Sequence, residues 1–567
     1  MKKFIYNSMM LLTLGGLMTA CSSDFLDTES KTDLNTGSFY KTEVQVEYAV
    51  VGCYDGYQRT VSNGSWPTLF QAAETMSDDC LGGGGPDDRS DRLMDRFDMT
   101  YKSDAVDLFD GIWGDYYKGI YRCNLLLGAL DDVAWSDSIN RIVAESEARA
   151  IRALEYFDLV RMFENVPLVL TPTSEIVAQS EPDEVYAQIV KDLKFVADNM
   201  PASKYTNESD FGRITKYAAE AMLARVYLFY DGVYGNNAGA DMPGELTKAQ
   251  AFDYCKDVIE NGGYSLEPTF ANLWPAASTT ASEVSEGWIN TYNETSKEII
   301  WVVKFNNDQD WNNDNINSNR FIVNFGMRNV STYAPYGNGW GACPITPYAN
   351  SLFSADDTRG AATVINTRTV GAYDEQIATD CMDYTGYVNM KYCPLIYKDG
   401  TSIPTNAAAS EISGANFQTS QDQDWVLMRY ADVLLMASEL SADGEYAKAR
   451  FNEVRERAYG SSSHNVSSAP SKDLIWKERR LEFMGEGIRY FDLRRQGMDA
   501  FVEAQMGQAT SNGKSSGTAV SVYNNTVEET ILDTYNESNI RAKRGFWQIP
   551  YTQISLSNNV YKQNAGW

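Results

Sequence analysis

The sequence predicts a mainly α-helical fold in which paired helices support long irregular loops and a few short strands. Three observations predict it. Apolar residues recur at steps of three and four through several segments. Those segments come in adjacent pairs that end on glycine or turn at Asp-Gly. Between them lie two stretches rich in Asn, Asp, Gly, Ser and Tyr, over residues 61–104 and 306–423, where no helical period persists.

Residues 107–132 place Phe109, Ile112, Tyr116, Ile120, Cys123, Leu127 and Leu130 on one face of a long helix. A second helix buries Ala144, Ala148, Ile151, Leu154 or Glu155, and then Phe157, Val160 and Phe163, and Pro167 marks its end. Residues 212–230 and 247–266 form a helix pair: Ala218, Ala221 and Ala224 admit a close neighbour, and Gly262 and Gly263 stop the second member. This pair, and a second over residues 429–458 turning at Asp443-Gly444, resemble tetratricopeptide hairpins. Residues 298–305, EIIWVVKF, read as a buried strand. Residues 472–498 read as one amphipathic helix, with Leu474, Leu481 and Ile488 seven apart and Met484, Phe491 and Met498 likewise. Its pairs Arg479–Glu482, Glu486–Arg489 and Asp492–Arg495 have the spacing of surface ion pairs, each worth about 0.3 kcal/mol. Trp113, Trp301, Trp425 and Trp476 fall on these patterns and read as packing residues, while Trp274 and Trp288 fit either role.

Composition narrows the function. The chain of 567 residues carries a formal charge of −29, which opposes binding to nucleic acid and suits neutral ligands. Lys2 and Lys3 precede an apolar stretch ending in Leu17-Met18-Thr19-Ala20-Cys21, the order of a lipoprotein signal peptide. Residues 1–20 are expected to be removed, leaving Cys21 as the lipidated N-terminus. The other seven of the 8 cysteines show no C-x-x-C spacing and read as small buried hydrophobes, with Cys381 and Cys393 the nearest pair for a disulfide.

Catalytic chemistry finds little support. His464 is the sole histidine, in a Gly-Ser-rich loop with no acid beside it, which argues against histidine metal sites and a Ser-His-Asp triad and for a solvated residue. A carboxylate-pair glycoside hydrolase is the alternative enzyme reading, because that chemistry needs only two spaced acids among 77. The run Gly82–Gly85 lacks a following Gly-Lys-Ser/Thr and reads as a flexible loop. Asp308, Asp310, Asn312 and Asp314 alternate like calcium ligands, but Asn319 stands where the bidentate Glu belongs, so no metal or cofactor is expected.

Several long motifs carry a resemblance: CSSDFLDTES at 21–30, EARAIRALEYFDLVRMFENVPLV at 147–169, GRITKYAAEAMLARVYL at 212–228, VLMRYADVLLMASE at 426–439, KERRLEFMGEGIRYFDLRR at 477–495, and the C-terminus from Arg544. With these the chain resembles the SusD/RagB family of Bacteroidetes outer-membrane nutrient-binding lipoproteins. The resemblance implies a single SusD-like domain over residues 21–567, with a helical part at 21–297, a strand and ligand-loop region at 298–425, and a second helical part at 426–567. It implies four tetratricopeptide-like hairpins, no catalytic activity, a surface-exposed outer-membrane location and a SusC-like TonB-dependent transporter as partner. The cargo it implies is a glycan, or alternatively a peptide. Sugars are held by stacking on aromatic rings flanked by polar groups. On that chemistry the candidate ligand residues are Trp66, Asp79, Trp311, Asn312, Arg320, Tyr336 and Trp340, and the two irregular stretches are expected to meet on one face.

Overall fold

The computed structural model describes residues 39–63, 66–205, 207, 210–279, 296–306, 309–310, 315–329, 335–378, 381–396, 402–403, 421, 423–511, 521–524, 527–530 and 535–567. Cys21, Trp288, Trp311, Asn312 and the calcium-like positions Asp308 and Asp314 lie outside these residues, as does the side chain of Asp310. No helix among the described residues is long and apolar enough to cross a membrane.

Eight helices form the scaffold: α1 Glu43–Gln58, α2 Asp110–Ala129, α3 Ser138–Phe163, α4 Pro182–Asn199, α5 Lys216–Val233, α6 Lys248–Asn261, α7 Tyr430–Leu440 and α8 Gly444–Tyr459. They pack as four pairs, α1 on α2, α3 on α4, α5 on α6 and α7 on α8. The local chemistry explains the boundaries. Thr42 with Gln45 and Thr247 with Gln250 make capping boxes on α1 and α6, so the first free N–H groups find side-chain acceptors. Pro182 opens α4, and Gly460 closes α8 in the left-handed conformation at φ 64°. In α5, Ala218, Ala219, Ala221 and Ala224 are all fully buried.

The apolar run at 298–305 becomes strand β1, Ile299–Val303, paired antiparallel with β2, Trp425–Arg429, and every residue of both is buried. The large core runs through the hairpins and this strand pair. A smaller one, built on Met327, Ile365, Val388, Cys393 and Leu395, underlies the irregular region. The seven described cysteines are all buried, Cys381 and Cys393 among them, as expected of small hydrophobes.

The segment 472–498 departs from the sequence reading. It is not one helix: α9 covers Lys472–Phe483, and a short α10 covers Arg489–Arg494. Gly485 and Gly487 between them adopt φ 81° and 77°, a backbone that ends the helix. Leu481 is only half-buried, and α9 instead buries Ile475, Glu478, Arg479, Glu482 and Phe483.

Of the three expected surface pairs only Asp492–Arg495 forms; the other charges turn inward to distant partners. Glu482 meets Arg359, Arg429 and Arg457; Glu486 meets Arg429 and Lys391; Arg489 meets Asp78. Apart from the separate Arg489–Asp78 pair, these residues join Glu298, Asp357, Glu478 and Arg455 in a buried network of five acids and five bases. Burial opposes ionisation of Glu482, yet the three arginines outweigh it and hold its carboxyl well below the usual range. This network ties α9 to β1, β2 and α8.

Candidate functional site

The two irregular stretches do meet. Cys80 bridges to Ile345 and Gly83 to Ala342, and the N–H groups of Leu81, Gly84 and Met382 donate to the carbonyls of Pro344, Gly341 and Gly84. The Gly82–Gly85 run is therefore a buried seam and not a flexible loop. A Cβ on Gly83 would stand 2.5 Å from the carbonyl oxygen of Gly341, and Gly83 and Gly84 both take positive φ, so only glycine fits this approach. Arg92 and Arg96 pair with Asp383 and fix the seam from below.

Above the seam opens a cavity of about 670 Å³, which both stretches line. Trp66 stands at its edge, 43% exposed, and Trp340 forms part of its wall. Arg320 lies against the Trp340 ring, 5.9 Å from its centroid. Asp79 and Tyr336 are not among the residues that line it. Asp79 is fully buried in an ion pair with Arg480, and Tyr336 packs on the smaller core, where burial pushes its hydroxyl up to about 12.

Sequence reasoning missed the polar lining. Arg328 donates from Nη1 to the Trp340 carbonyl at 3.1 Å, and among the described residues its Nε has no partner. Asn324 Oδ1 and Asn338 Oδ1 also lack partners there, although Asn324 is 3% exposed. Buried polar atoms are usually satisfied, so three unsatisfied ones in residues that line a single cavity are unusual. A second groove, about 830 Å³, lies between α1 and β1 and is lined by Tyr48, Arg122, Arg213 and Lys304. Its cations are already paired, Arg122 with Asp55, Arg213 with Glu47 and Glu147, and Lys304 with Asp424.

His464 is also placed differently from its sequence reading. The fold brings Asp356 Oδ2 to 2.6 Å from its Nε2 and stacks the ring on Tyr459 at 3.9 Å, so it pins a surface loop. No metal-holding group of His, Cys, Asp and Glu occurs among the described residues.

Comparison with known proteins agrees with this architecture. The family model described as "SusD family" matches residues 297–567, and one described as "Starch-binding associating with outer membrane" matches residues 24–228. The chain belongs to the SusD/RagB family. A "SusD-like protein" of Bacteroides ovatus is 25% identical over 87% of this chain and 83% of its own length. Among solved structures, a "Laminarin binding SusD-like protein" superposes with a TM-score of 0.69 at 25% identity, over 93% of this chain and 100% of that one. Surface glycan-binding protein A of Bacteroides thetaiotaomicron, in complex with laminarihexaose, gives 0.68 at 21% identity, over 92% and 100%. SusD-family glycan-binding proteins are non-catalytic.

Proposed function

We propose that this protein is a cell-surface lipoprotein, anchored in the outer membrane through acylated Cys21, that captures oligo- or polysaccharide and hands it to a SusC-like TonB-dependent transporter. The observation that carries the reading is the cavity itself. An exposed indole, Trp66, and a second, Trp340, line it together with the polar side chains of Asn324, Arg328 and Asn338. Sugar rings present an apolar face for stacking and hydroxyls that both donate and accept, and this lining offers a partner for each. Two solved relatives carry laminarin or laminarihexaose in their descriptions, and one family model carries starch, which supports a glycan over a peptide as cargo.

Affinity electrophoresis against a polysaccharide panel that begins with laminarin and starch tests the proposal. Retardation by at least one polysaccharide, without release of sugars, is expected. Free migration through every gel would sink the glycan reading, and released sugar would revive the carboxylate-pair hydrolase. Co-purification of a TonB-dependent barrel with the native protein tests the delivery step.

A further inference from the structure

We infer that the Trp66–Trp340 cavity accepts uncharged glycans and turns away polyanionic ones, sulfated or rich in uronate; this rests on the glycan reading above. The charged acceptors of the lining are the carboxylates of Asp87 and Asp88, both exposed at the mouth. The charged donor beside them is the Arg328 guanidinium, which also lines the cavity. A lining of this kind is satisfied by a ligand that brings hydrogens. Sugar hydroxyls bring them, whereas an ionised carboxylate or sulfate only accepts.

Position sharpens the point. Asp88 Oδ2 accepts the Gly85 N–H at 2.6 Å, which holds that carboxylate at the mouth. Arg328 reaches the same glycine: a Cβ on Gly85 would lie 2.6 Å from Arg328 Nη2 and 3.4 Å from Asp88 Oδ2. A guanidinium and a carboxylate thus flank one bare stretch of backbone. Two neighbouring hydroxyls of a pyranose can accept from the first and donate to the second. An anionic substituent would gain Arg328 but would stand against Asp87 and Asp88, in a chain whose formal charge of −29 already repels polyanions at long range.

Calorimetry with matched pairs tests this: laminarin against sulfated laminarin, and soluble starch against carboxymethyl starch, at low and at physiological salt. Binding of a neutral member, with its charged partner at least about tenfold weaker at low salt and less so at high salt, is the expected result. The double variant Asp87→Asn/Asp88→Asn keeps an acceptor for the Gly85 N–H. It should raise the ratio of charged to neutral affinity about threefold or more, with circular dichroism as the folding control. Equal or tighter binding of the charged member, or an unchanged ratio in the double variant, overturns the inference while leaving glycan capture standing. If neither member of any pair binds, the glycan reading itself fails and the inference falls with it.

Discussion

Replacing Glu482 by Gln tests whether the buried charge network holds the C-terminal part of the fold together. The substitution keeps the shape of the side chain and removes one negative charge that three guanidiniums share, Arg359 at 3.1 Å and Arg429 and Arg457 closer still. At an effective dielectric constant of about 20, unit charges roughly 4 Å apart attract by about 4 kcal/mol. Three such attractions go, offset by relief from Glu298, Glu478 and Glu486 nearby and by a smaller desolvation cost. The remaining five bases then face four acids in a largely buried setting. Breaking a buried pair from one side typically costs about 3–5 kcal/mol, and that is the loss expected here. Thermal unfolding followed by circular dichroism reads it as a clear drop in Tm. A Tm unchanged from the parent would show that solvent reaches the network and that α9 is not held by charge.

The pH dependence of stability follows from two sets of buried acids. Burial pushes Glu74 up to about 7 and Glu155 well above its usual range, so the folded state binds their protons first and gains stability as pH falls toward about 5. Glu482 and Asp432 are held low against burial, Asp432 by Arg479 and Arg225, so their contribution is complete above about pH 4 and lost below it. A Tm maximum near pH 5 is expected, and a monotonic rise from pH 4 to 8 would contradict the assignment. Trp66→Ala, Trp340→Ala and Arg328→Gln should each weaken binding of the identified glycan about tenfold by calorimetry while the far-ultraviolet spectrum is unchanged. Three variants that bind like the parent would move the site elsewhere. Cys21→Ala should release the protein from membranes of a host that lacks the partner barrel, as read by fractionation.

The hairpins were legible because their information is local. Each apolar face repeats at the helical period, and Asp443-Gly444 and Gly262 mark where the turns fall. The break in 472–498 was hidden because Met484 and Ile488 keep a heptad pattern across glycines that do not stay helical. The charged pairs were misjudged for a different reason. Spacing says which charges can meet along one helix, and Glu482 and Arg489 are satisfied by residues such as Arg359 and Asp78, far away in the chain. Trp66 and Trp340 stood out as indoles in polar sequence, whereas Arg328, Asn324 and Asn338 carry no local signal. Their role appears only when the seam places them around a void.

That seam also sets how binding and folding are linked. The walls of the cavity come from residues 66, 84–91 and 324–342, which lie far apart in the chain. A sugar chain seated there would act as a removable clasp across distant parts of one polypeptide, favouring the state in which both ends are docked. Occupancy would then be readable without watching the sugar at all, as added resistance of the whole chain to heat and to proteases.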